Sequence, residues 1–336
     1  MTVDEEFMRE AVLEARKGVG RTHPNPAVGA VIVSGGRVVA RGWHRGAGHS
    51  HAEIEALRKS GHAASGATLY VTLEPCSTHG FTPPCTEAIV QARFGRVVYG
   101  ATDPNPKHSG RAKTILSRAG IEVCPGVLEG QCVALNTAWN KWIATGMPFV
   151  TAKAAMTLDG RINSPPEGRW ISSEASRRDV MKLRSRVHAI LVGGETIRVD
   201  DPQLTVRGIQ NALQPLRVIW TKSGRLPKNA RIFTDEDRHR TLVFRNVSLR
   251  SVLRDLGRRE IASVLIEGGA RVLGEAFDRS LVDQVYFYLA PVLAGGPVPV
   301  VGGRGAPDVQ RAIRLGEPVF RRIGPDVRLT GAVLRT

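Results

Sequence analysis

The chain has 336 residues, 42% of them hydrophobic and 23% charged, which is the composition of a globular protein long enough for two domains. No apolar run approaches the ~20 residues of a membrane span, and the acidic N-terminus lacks the apolar core of a secretion signal, so the sequence argues against a membrane protein and predicts a cytoplasmic one. A formal net charge of +16 favours anionic partners, either nucleic acid or small phosphorylated metabolites.

The positive charge is spread unevenly along the chain. Residues 1–145 carry about +4 and the remainder about +12. The basic residues form no long run, and aromatic residues are only 5% of the chain. A nucleic-acid groove combines a basic track with aromatic stacking platforms. A small phosphorylated partner is therefore favoured, and we expect no nucleic-acid or membrane partner.

The first part of the chain predicts a layered α/β domain, because strands alternate with helices. The first helix is predicted over 4–17, where apolar residues fall on one stripe and Thr2 and Glu5 have capping-box spacing. The further predictions are strands 28–33 and 37–43, helix 52–59, strand 67–73, helix 86–94, strand 96–100, helix 111–119, strand 121–123 and helix 131–145.

One histidine, two cysteines and a glutamate form the pattern that carries chemistry. His51 and Glu53 open a predicted helix, Cys76 follows a strand, and Cys85 precedes a helix. The zinc deaminase signature is His-x-Glu followed by Pro-Cys-x-x-Cys; here the insert before the second cysteine is longer. Three protein ligands leave one zinc position open, as in catalytic sites, whereas a structural site closes with a fourth, for which His79 is the near candidate.

An open zinc site predicts hydrolytic deamination. Zinc lowers the pKa of its bound water toward ~7, which makes a hydroxide available to attack a ring carbon bearing an exocyclic amine. Glu53 is the candidate proton shuttle between the water and the leaving ammonia. Cys124 and Cys132 have no histidine at ligand spacing and are interpreted as free thiols.

Two other polar features precede the zinc pattern. Residues 22–26, Thr-His-Pro-Asn-Pro, form a rigid loop that either holds a ligand or only connects two elements. His44 follows a strand, and a lone histidine there is more often a core or surface residue than a functional one.

A second α/β run begins after Gly146-Met147-Pro148, where glycine and proline mark a boundary. Glu267-Gly268-Gly269 lies between a strand and a helix and is a weak phosphate-binding signal, since a glycine pair there is often just a tight turn. The predicted elements are strand 149–156, a helix capped by Ser172 or Ser173 and ending near 186, strands 189–194, 216–220 and 241–245, helix 249–256, strand 263–266, helix 270–277, and strands 285–289 and 327–334.

The first half resembles the bifunctional riboflavin-biosynthesis deaminase/reductase family. The resemblance is carried by residues 22–29, 51–53 and 73–85, the last reading LEPCSTHGFTPPC. It implies a cytidine-deaminase-like domain that removes an amine from a diamino-hydroxy-pyrimidine ribosyl phosphate. The resemblance further implies zinc ligands His51, Cys76 and Cys85, proton shuttle Glu53, and substrate-pocket residues Asn25 and His44.

The second half resembles the reductase part of the same family. Residues 153–160, 170–173, 200–207 and 267–269 carry this match, which implies a dihydrofolate-reductase-like fold that uses NADPH. The implied NADPH contacts are Ala155, Trp170, Thr196, Asp200, Gly269, Ala270, Arg271, Val272, Leu273, Gly274 and Glu275. The implied substrate-site residues are Lys153, Gly168, Arg184, Leu204, Arg207 and Glu267. Lys153 and Asp159 both fit the motif, without separable roles.

The resemblance implies two consecutive reactions by two domains, a zinc-dependent deaminase over 1–146 and an NADPH-dependent reductase over 147–336. The reductase transfers a hydride to the ribose carbon that carries the ring amine, and the sugar opens to a ribityl chain. Arg184 and Arg207 are suited to the substrate phosphate, although surface ion pairing explains them equally well. We expect a homo-oligomer.

The sequence departs from the family pattern at two places. The family usually has histidine at the position of Thr78 and lysine or arginine at that of Phe81, and His79 is a candidate replacement for the missing histidine. Near the cofactor, Thr221-Lys222 stands where the family tends to have Asp-Ser.

Two alternative functions remain open from the sequence. One is a zinc deaminase for another base or a tRNA adenosine, with an inactive reductase half. The other is a zinc-dependent nucleic-acid-binding protein, which the net charge of +16 motivates.

Overall fold

The chain folds into two compact units, Met1–Gly146 and Met147–Thr336. The computed structural model describes residues 1–79, 83–106, 108–162 and 170–334. Each unit contains one sheet, of five strands in the first and eight in the second. Within the described ranges, no helix is both long enough and apolar enough to cross a membrane.

The first unit places helices around a mixed sheet. Its elements are α1 (Val3–Arg16), β1 (Gly29–Ser34), β2 (Arg37–Trp43), α2 (Ala52–Ser60), β3 (Thr68–Leu73), α3 (Cys85–Gln91), β4 (Arg96–Ala101), α4 (Arg111–Arg118), β5 (Glu122–Pro125), α5 (Glu129–Leu135) and α6 (Thr137–Thr145). The strand order is β2-β1-β3-β4-β5, in which β3, β4 and β5 are parallel and β1 is antiparallel to both neighbours. Thr2 and Glu5 form the predicted capping box.

The carboxyl ends of β3 and β4 form the edge of the sheet at which the predicted zinc ligand Cys76 lies. Because parallel strands end at the same edge, the segment after β3, with Cys76, lies beside the loop that joins β4 to α4. Gly42 brings the start of α2 to the sheet, since a Cβ at that position would lie 2.3 Å from the Ala52 carbonyl oxygen. His51, just before α2, is thereby held near the same edge.

The helix predicted over 131–145 is in fact two helices, α5 and α6, that meet at Asn136. Its buried side chain accepts a hydrogen bond from the Ala27 N–H at 2.8 Å and donates one to the Ala27 carbonyl at 2.9 Å. This pairing takes Asn136 out of helical geometry, with φ −124°, and tethers the polar loop over residues 22–26 to the C-terminal helices.

The second unit is built on a mainly parallel sheet. Its elements are β6 (Phe149–Thr157), α7 (Glu174–Arg184), β7 (Ala189–Gly193), α8 (Gly194–Asp200), β8 (Leu216–Thr221), α9 (Arg231–Thr234), β9 (Thr241–Arg245), α10 (Leu249–Arg258), β10 (Ser263–Ile266), α11 (Ala270–Asp278), β11 (Gln284–Ala290), β12 (Leu315–Ile323) and β13 (Asp326–Val333). The order is β12-β13-β11-β6-β10-β7-β8-β9, with β11 through β9 parallel and the last hairpin antiparallel.

Three elements of this unit were not predicted from the sequence: strand β12, helix α8 and the short helix α9. Strand β12 is an edge strand whose middle is exposed and contains Pro318, so it lacks the apolar alternation that marks a half-buried strand. Helix α8 begins at a glycine pair, Gly193-Gly194, that reads as a strand end in the sequence. Ser173, one of the two predicted caps of α7, accepts the hydrogen bond from the Ser176 N–H.

Candidate active sites

The three predicted zinc ligands come together in the first unit. The Nδ1 atom of His51 lies 3.3 Å from the Cys85 Sγ and 3.5 Å from the Cys76 Sγ. All three ligand atoms lie within 4.8 Å of one another, the only such group of metal-binding side chains among the described residues. Cys124 and Cys132 are free thiols, as predicted.

The electrostatics of this cluster favour a thiolate. Hydrogen bonds from Cys85 and His51 lower the pKa of the Cys76 thiol to about 4, although burial opposes the shift. The backbone N–H of Cys85, at the start of α3, also donates to the Cys76 sulfur at 3.2 Å. A thiolate is the form of cysteine that binds a metal ion.

Glu53 lies in the first turn of α2 and is 5% exposed. Burial raises its pKa, while the neighbouring His51 acts in the opposite direction. A carboxyl group whose pKa is raised holds a proton more readily near neutral pH, which suits a group that must both accept and return one.

His44 and Asn25 form an ordered pair next to the ligands. The His44 Nδ1 atom lies 3.0 Å from the Ser50 carbonyl oxygen, which can only accept, so Nδ1 carries the hydrogen. Burial lowers the pKa of His44 and keeps the ring neutral. Its Nε2 atom is then an acceptor for the Asn25 Nδ2 group at 3.0 Å. The Asn25 Oδ1 atom is thereby oriented away from His44, as an acceptor. The rings of His44 and His51 meet edge to face at 5.3 Å.

In the second unit, a buried ion cluster joins three of the predicted substrate-site residues. Arg184 donates from Nε to the Glu267 Oε1 atom at 2.6 Å and from Nη2 to Oε2 at 2.8 Å. The Lys153 Nζ atom lies 3.9 Å from the same Oε2 atom. Strand register explains the contact, because Ile266 of β10 pairs with Ala152 of β6. Glu267 follows Ile266 and Lys153 follows Ala152, so the two side chains lie next to each other.

The charges of this cluster set its protonation. Burial alone raises the pKa of Glu267, but Arg184 and Lys153 outweigh it and bring the value down to about 2. Burial lowers the pKa of the Lys153 ammonium, with Glu267 opposing. Glu267 is therefore a fixed anion between two cations.

The segment that contains Leu204 and Arg207 lies against this cluster. Arg184 donates from Nη1 to the Thr205 carbonyl at 2.9 Å, so three of the five N–H groups of its guanidinium are bonded to protein acceptors. Leu204 is buried, and the Arg207 Nη1 atom donates to the Gln203 side chain at 2.8 Å. The structure thus brings together Lys153, Arg184, Glu267 and the backbone of Thr205, between Leu204 and Arg207.

Glycine pairs end two neighbouring strands of the second sheet. The Gly193 N–H donates to the Gly268 carbonyl at 3.2 Å, which joins the start of α8 to that of α11. The cap residues of the two helices, Gly193 and Gly269, have no side chain that could bond the helix-start amides. A Cβ placed on Gly269 would meet only the Thr196 hydroxyl, at 3.7 Å, so open space adjoins these amides. Uncapped helix-start amides beside open space suit a phosphate.

The other predicted NADPH contacts occupy varied positions. Ala155 is half-buried on β6, Asp200 is exposed at the end of α8, and residues 270–275 form the first turns of α11. Trp170 is 59% exposed, with the Arg177 guanidinium 5.1 Å from its ring centre. Gly168, a predicted substrate contact, lies outside the described residues, as does Phe81.

The structure gives Lys153 and Asp159 different surroundings. The Asp159 carboxylate accepts hydrogen bonds from the N–H groups of Ala294 and Gly295 and from the Thr157 hydroxyl, which lowers its pKa to about 2. Asp159 therefore orders the loop after β11, whereas Lys153 faces Glu267.

Comparison with known proteins tests the resemblance over the whole chain. The family model for the cytidine and deoxycytidylate deaminase zinc-binding region matches residues 1–101, and that for the RibD C-terminal domain matches residues 148–329. The riboflavin biosynthesis protein RibD of Bacillus amyloliquefaciens is 38% identical, over 98% of this chain and 96% of that protein. This chain belongs to the RibD family.

Solved structures of the RibD family agree with this assignment. RibD of Acinetobacter baumannii superposes with a TM-score of 0.92 at 36% identity, over 99% of both chains. A diaminohydroxyphosphoribosylaminopyrimidine deaminase/5-amino-6-(5-phosphoribosylamino)uracil reductase of Thermotoga maritima gives 0.90 at 35%, again over 99% of both chains. The predicted fold class and the predicted bifunctional enzyme of riboflavin biosynthesis are confirmed, and a deaminase with an inactive reductase half is not favoured.

The residues present fit the RibD cofactors, zinc and NADPH. Zinc bonds of about 2.3 Å to sulfur and about 2.0 Å to nitrogen, at a tetrahedral angle, set these atoms roughly 3.5 Å apart. The observed 3.3 and 3.5 Å from His51 to the two sulfurs match that spacing. For NADPH, the glycine-lined starts of α8 and α11 leave open space beside helix-start amides, which fits a phosphate group. The departure at Thr221 lies beside the start of α8, since a Cβ on Gly194 would approach the Thr221 hydroxyl to 2.8 Å.

Three residues at the deaminase site, Asn136, Glu74 and His108, were not predicted from the sequence. Asn136 tethers the 22–26 loop through Ala27. Glu74 accepts three backbone hydrogen bonds from the loop after β4. His108 lies next to Thr78. Glu74 could have been found from the sequence because it belongs to the Glu-Pro-Cys motif. The sequence around Asn136 and His108 contains no motif that marks either residue.

Proposed function

We propose that the first unit removes an amine from 2,5-diamino-6-(5-phosphoribosylamino)pyrimidin-4-one and that the second unit reduces the ribosyl group of the product to ribityl with NADPH. The Thermotoga maritima relative, a deaminase of the pyrimidine and a reductase of the uracil that results, supports both the substrate and the order of the steps. The observation that carries the deaminase assignment is the three-ligand cluster with a buried glutamate two residues from its histidine.

In the deaminase site, each residue has a role that follows from its position. His51, Cys76 and Cys85 hold zinc, which supplies an activated water at neutral pH. Glu53 takes a proton and returns it to the leaving ammonia. The Asn25 Oδ1 atom, oriented by His44, accepts a hydrogen bond from the pyrimidine.

In the reductase site, the chain binds and orients two ligands. NADPH supplies the hydride. The first amides of α11, at residues 269–271, would face its phosphates. Residues 272–275 of the same helix, with Thr196, Ala155, Trp170 and Asp200, would complete its contacts. The substrate lies against Lys153, Leu204 and Glu267; Gly168, which the resemblance adds to these contacts, is outside the described residues. Arg207 binds the substrate phosphate through its exposed guanidinium.

Arg184 has a different part in this proposal. Because it forms two hydrogen bonds with Glu267 and a third with the Thr205 carbonyl, it mainly fixes the carboxylate and the 204–207 segment. We propose that its other N–H groups contact the substrate. The homo-oligomer and the cytoplasmic location expected from the sequence remain predictions.

A two-step assay with metal analysis tests this function. Purified protein with zinc and NADPH receives the pyrimidine ribosyl phosphate, and ammonia and NADPH are followed separately. We expect one ammonia released and one NADPH oxidised per substrate, with ammonia appearing first. If zinc-loaded protein releases no ammonia and oxidises no NADPH, the proposal is refuted. If it releases ammonia without oxidising NADPH, the reductase half of the proposal is refuted.

A further inference from the structure

His108 lies at the deaminase site although nothing in its sequence surroundings marks it. Its two ring nitrogens are 3.3 and 3.4 Å from the Thr78 hydroxyl, and Thr78 is two residues beyond the zinc ligand Cys76. The hydroxyl is almost equally far from both nitrogens, so it lies close to the ring without favouring either nitrogen as its partner. An imidazole and a hydroxyl thus stand side by side on the carboxyl edge of β3 and β4.

The position of His108 is fixed from the zinc side of the site. Buried Glu74 lies two residues before Cys76, and its carboxylate accepts hydrogen bonds from the N–H groups of Asp103 at 3.2 Å, Gly110 at 3.0 Å and Ala112 at 3.0 Å. These bonds hold the loop between β4 and α4 at both of its ends, so a single buried side chain ties the loop of His108 to the segment that carries the zinc ligand.

His79, the candidate replacement for a histidine at position 78, faces elsewhere. Its Nε2 atom lies 3.1 Å from the Glu87 carboxylate, and its side chain is 71% exposed. The half-buried ring of His108 is the imidazole that contacts Thr78.

We propose that His108, together with Thr78, binds the phosphate group of the deaminase substrate. The inference rests on the proposed function of the first unit. Asn25 and His44 lie on the β2 side of His51 and serve the pyrimidine ring, whereas Thr78 and His108 lie on the β4 side, beyond Cys76. A hydroxyl and an imidazole N–H are donors, and they match the acceptor oxygens of a phosphate. Asp103, whose carboxyl group interacts electrostatically with His108, accepts a hydrogen bond from the Asn105 N–H at 2.8 Å.

The test compares the phosphorylated substrate with its dephosphorylated analogue. In His108→Gln, we expect the KM of ammonia release to rise about tenfold for the phosphorylated substrate, the loss expected for one charge-assisted hydrogen bond. The kcat, the zinc content and the KM for the dephosphorylated analogue stay within about twofold of wild type. His62→Gln, in an exposed turn, is the matched control and leaves all four values unchanged.

A rescue variant separates a binding role from a structural one. Thr78→His combined with His108→Gln returns an imidazole to the same place and lowers the KM toward the wild-type value. His79→Gln changes the KM by less than about twofold. An unchanged KM in His108→Gln, or an equal rise for both substrates, would overturn the assignment.

A binding measurement keeps this inference separate from the proposed reaction. In the zinc-loaded Glu53→Gln background, the phosphorylated substrate is titrated by calorimetry with and without His108→Gln. A Kd that rises about tenfold supports the phosphate contact even if turnover fails. An unchanged Kd contradicts the contact even if wild type releases ammonia.

Discussion

Arg184 and Glu267 face each other through two parallel hydrogen bonds of 2.6 and 2.8 Å, with both side chains largely buried. They are 83 residues apart in the chain. The pair joins the end of α7 to the residue after β10 and places a permanent anion beside Lys153. The reductase site is therefore organised around a charge cluster that also stabilises its unit.

Removing Glu267 should destabilise the second unit strongly. Glu267→Ala leaves the Arg184 and Lys153 cations buried without their counter-charge, and breaking such a pair costs about 3–5 kcal/mol of unfolding free energy. Urea unfolding of the full chain measures it. The control is Glu174→Ala, which removes an exposed partner of Arg178 and should cost less than about 1 kcal/mol. Equal losses in the two variants would contradict a buried ion cluster.

The contribution of Glu267 should also depend on pH with a definite sign. Its pKa falls from 4.5 to about 2 on folding, so its stabilising charge is fully present above about pH 5 and is lost as the pH falls toward 2. Glu267→Gln resembles the protonated side chain. We expect the stability gap between wild type and this variant to be constant from pH 8 to 6 and to narrow between about pH 5 and 3. If the stability difference between wild type and Glu267→Gln grows as the pH falls, the pKa of Glu267 is not lowered by folding.

Glu53→Gln should separate zinc binding from proton transfer. The amide keeps the size of the side chain but cannot carry the proton, so zinc content stays at the wild-type level while ammonia release falls by about 10²–10⁴-fold. Atomic absorption and an ammonia assay measure the two quantities. Glu55→Gln, two positions along the same helix and paired with Arg58, is the control and should retain activity. Ammonia release that survives in Glu53→Gln would remove the role given to Glu53.

Two glycines of the second unit should respond differently to an added methyl group. In Gly269→Ala the Cβ enters open space near Thr196, so the melting temperature stays the same, but the methyl group intrudes where the cofactor phosphate would lie. We expect the KM for NADPH to rise about tenfold.

Gly274→Ala is the contrasting variant. Its Cβ would lie 2.3 Å from the Gly302 carbonyl carbon, which must move, so the second unit should melt at a lower temperature. For Gly269→Ala, an unchanged KM for NADPH would show that the start of α11 is not the site of the cofactor phosphate.

The order of strands and helices could be predicted because buried strands and amphipathic helices alternate clearly, as at β7 and α10. The zinc cluster could be predicted because histidine and cysteine in this spacing serve few other purposes, and the geometry brings His51, Cys76 and Cys85 together.

Long-range polar pairing lies beyond what the sequence can show. Asn136 ends α5 because its side chain is hydrogen-bonded to Ala27, 109 residues away. The sequence of residues 131–145 contains no signal that predicts this contact. The two hydrogen bonds between Arg184 and Glu267 likewise join residues that are 83 positions apart in the chain. Strand β12 was missed because an exposed edge strand needs no apolar pattern. These features depend on which segments meet after folding.

Two sites in one chain act in sequence, the first with zinc and the second with NADPH. The most direct measurement removes zinc with a chelator and follows both products. We predict that ammonia release from the pyrimidine ribosyl phosphate stops and returns on adding zinc, while the chelated protein still oxidises NADPH when given the deaminated intermediate. Loss of both activities on chelation, or ammonia release that persists without zinc, would contradict the account.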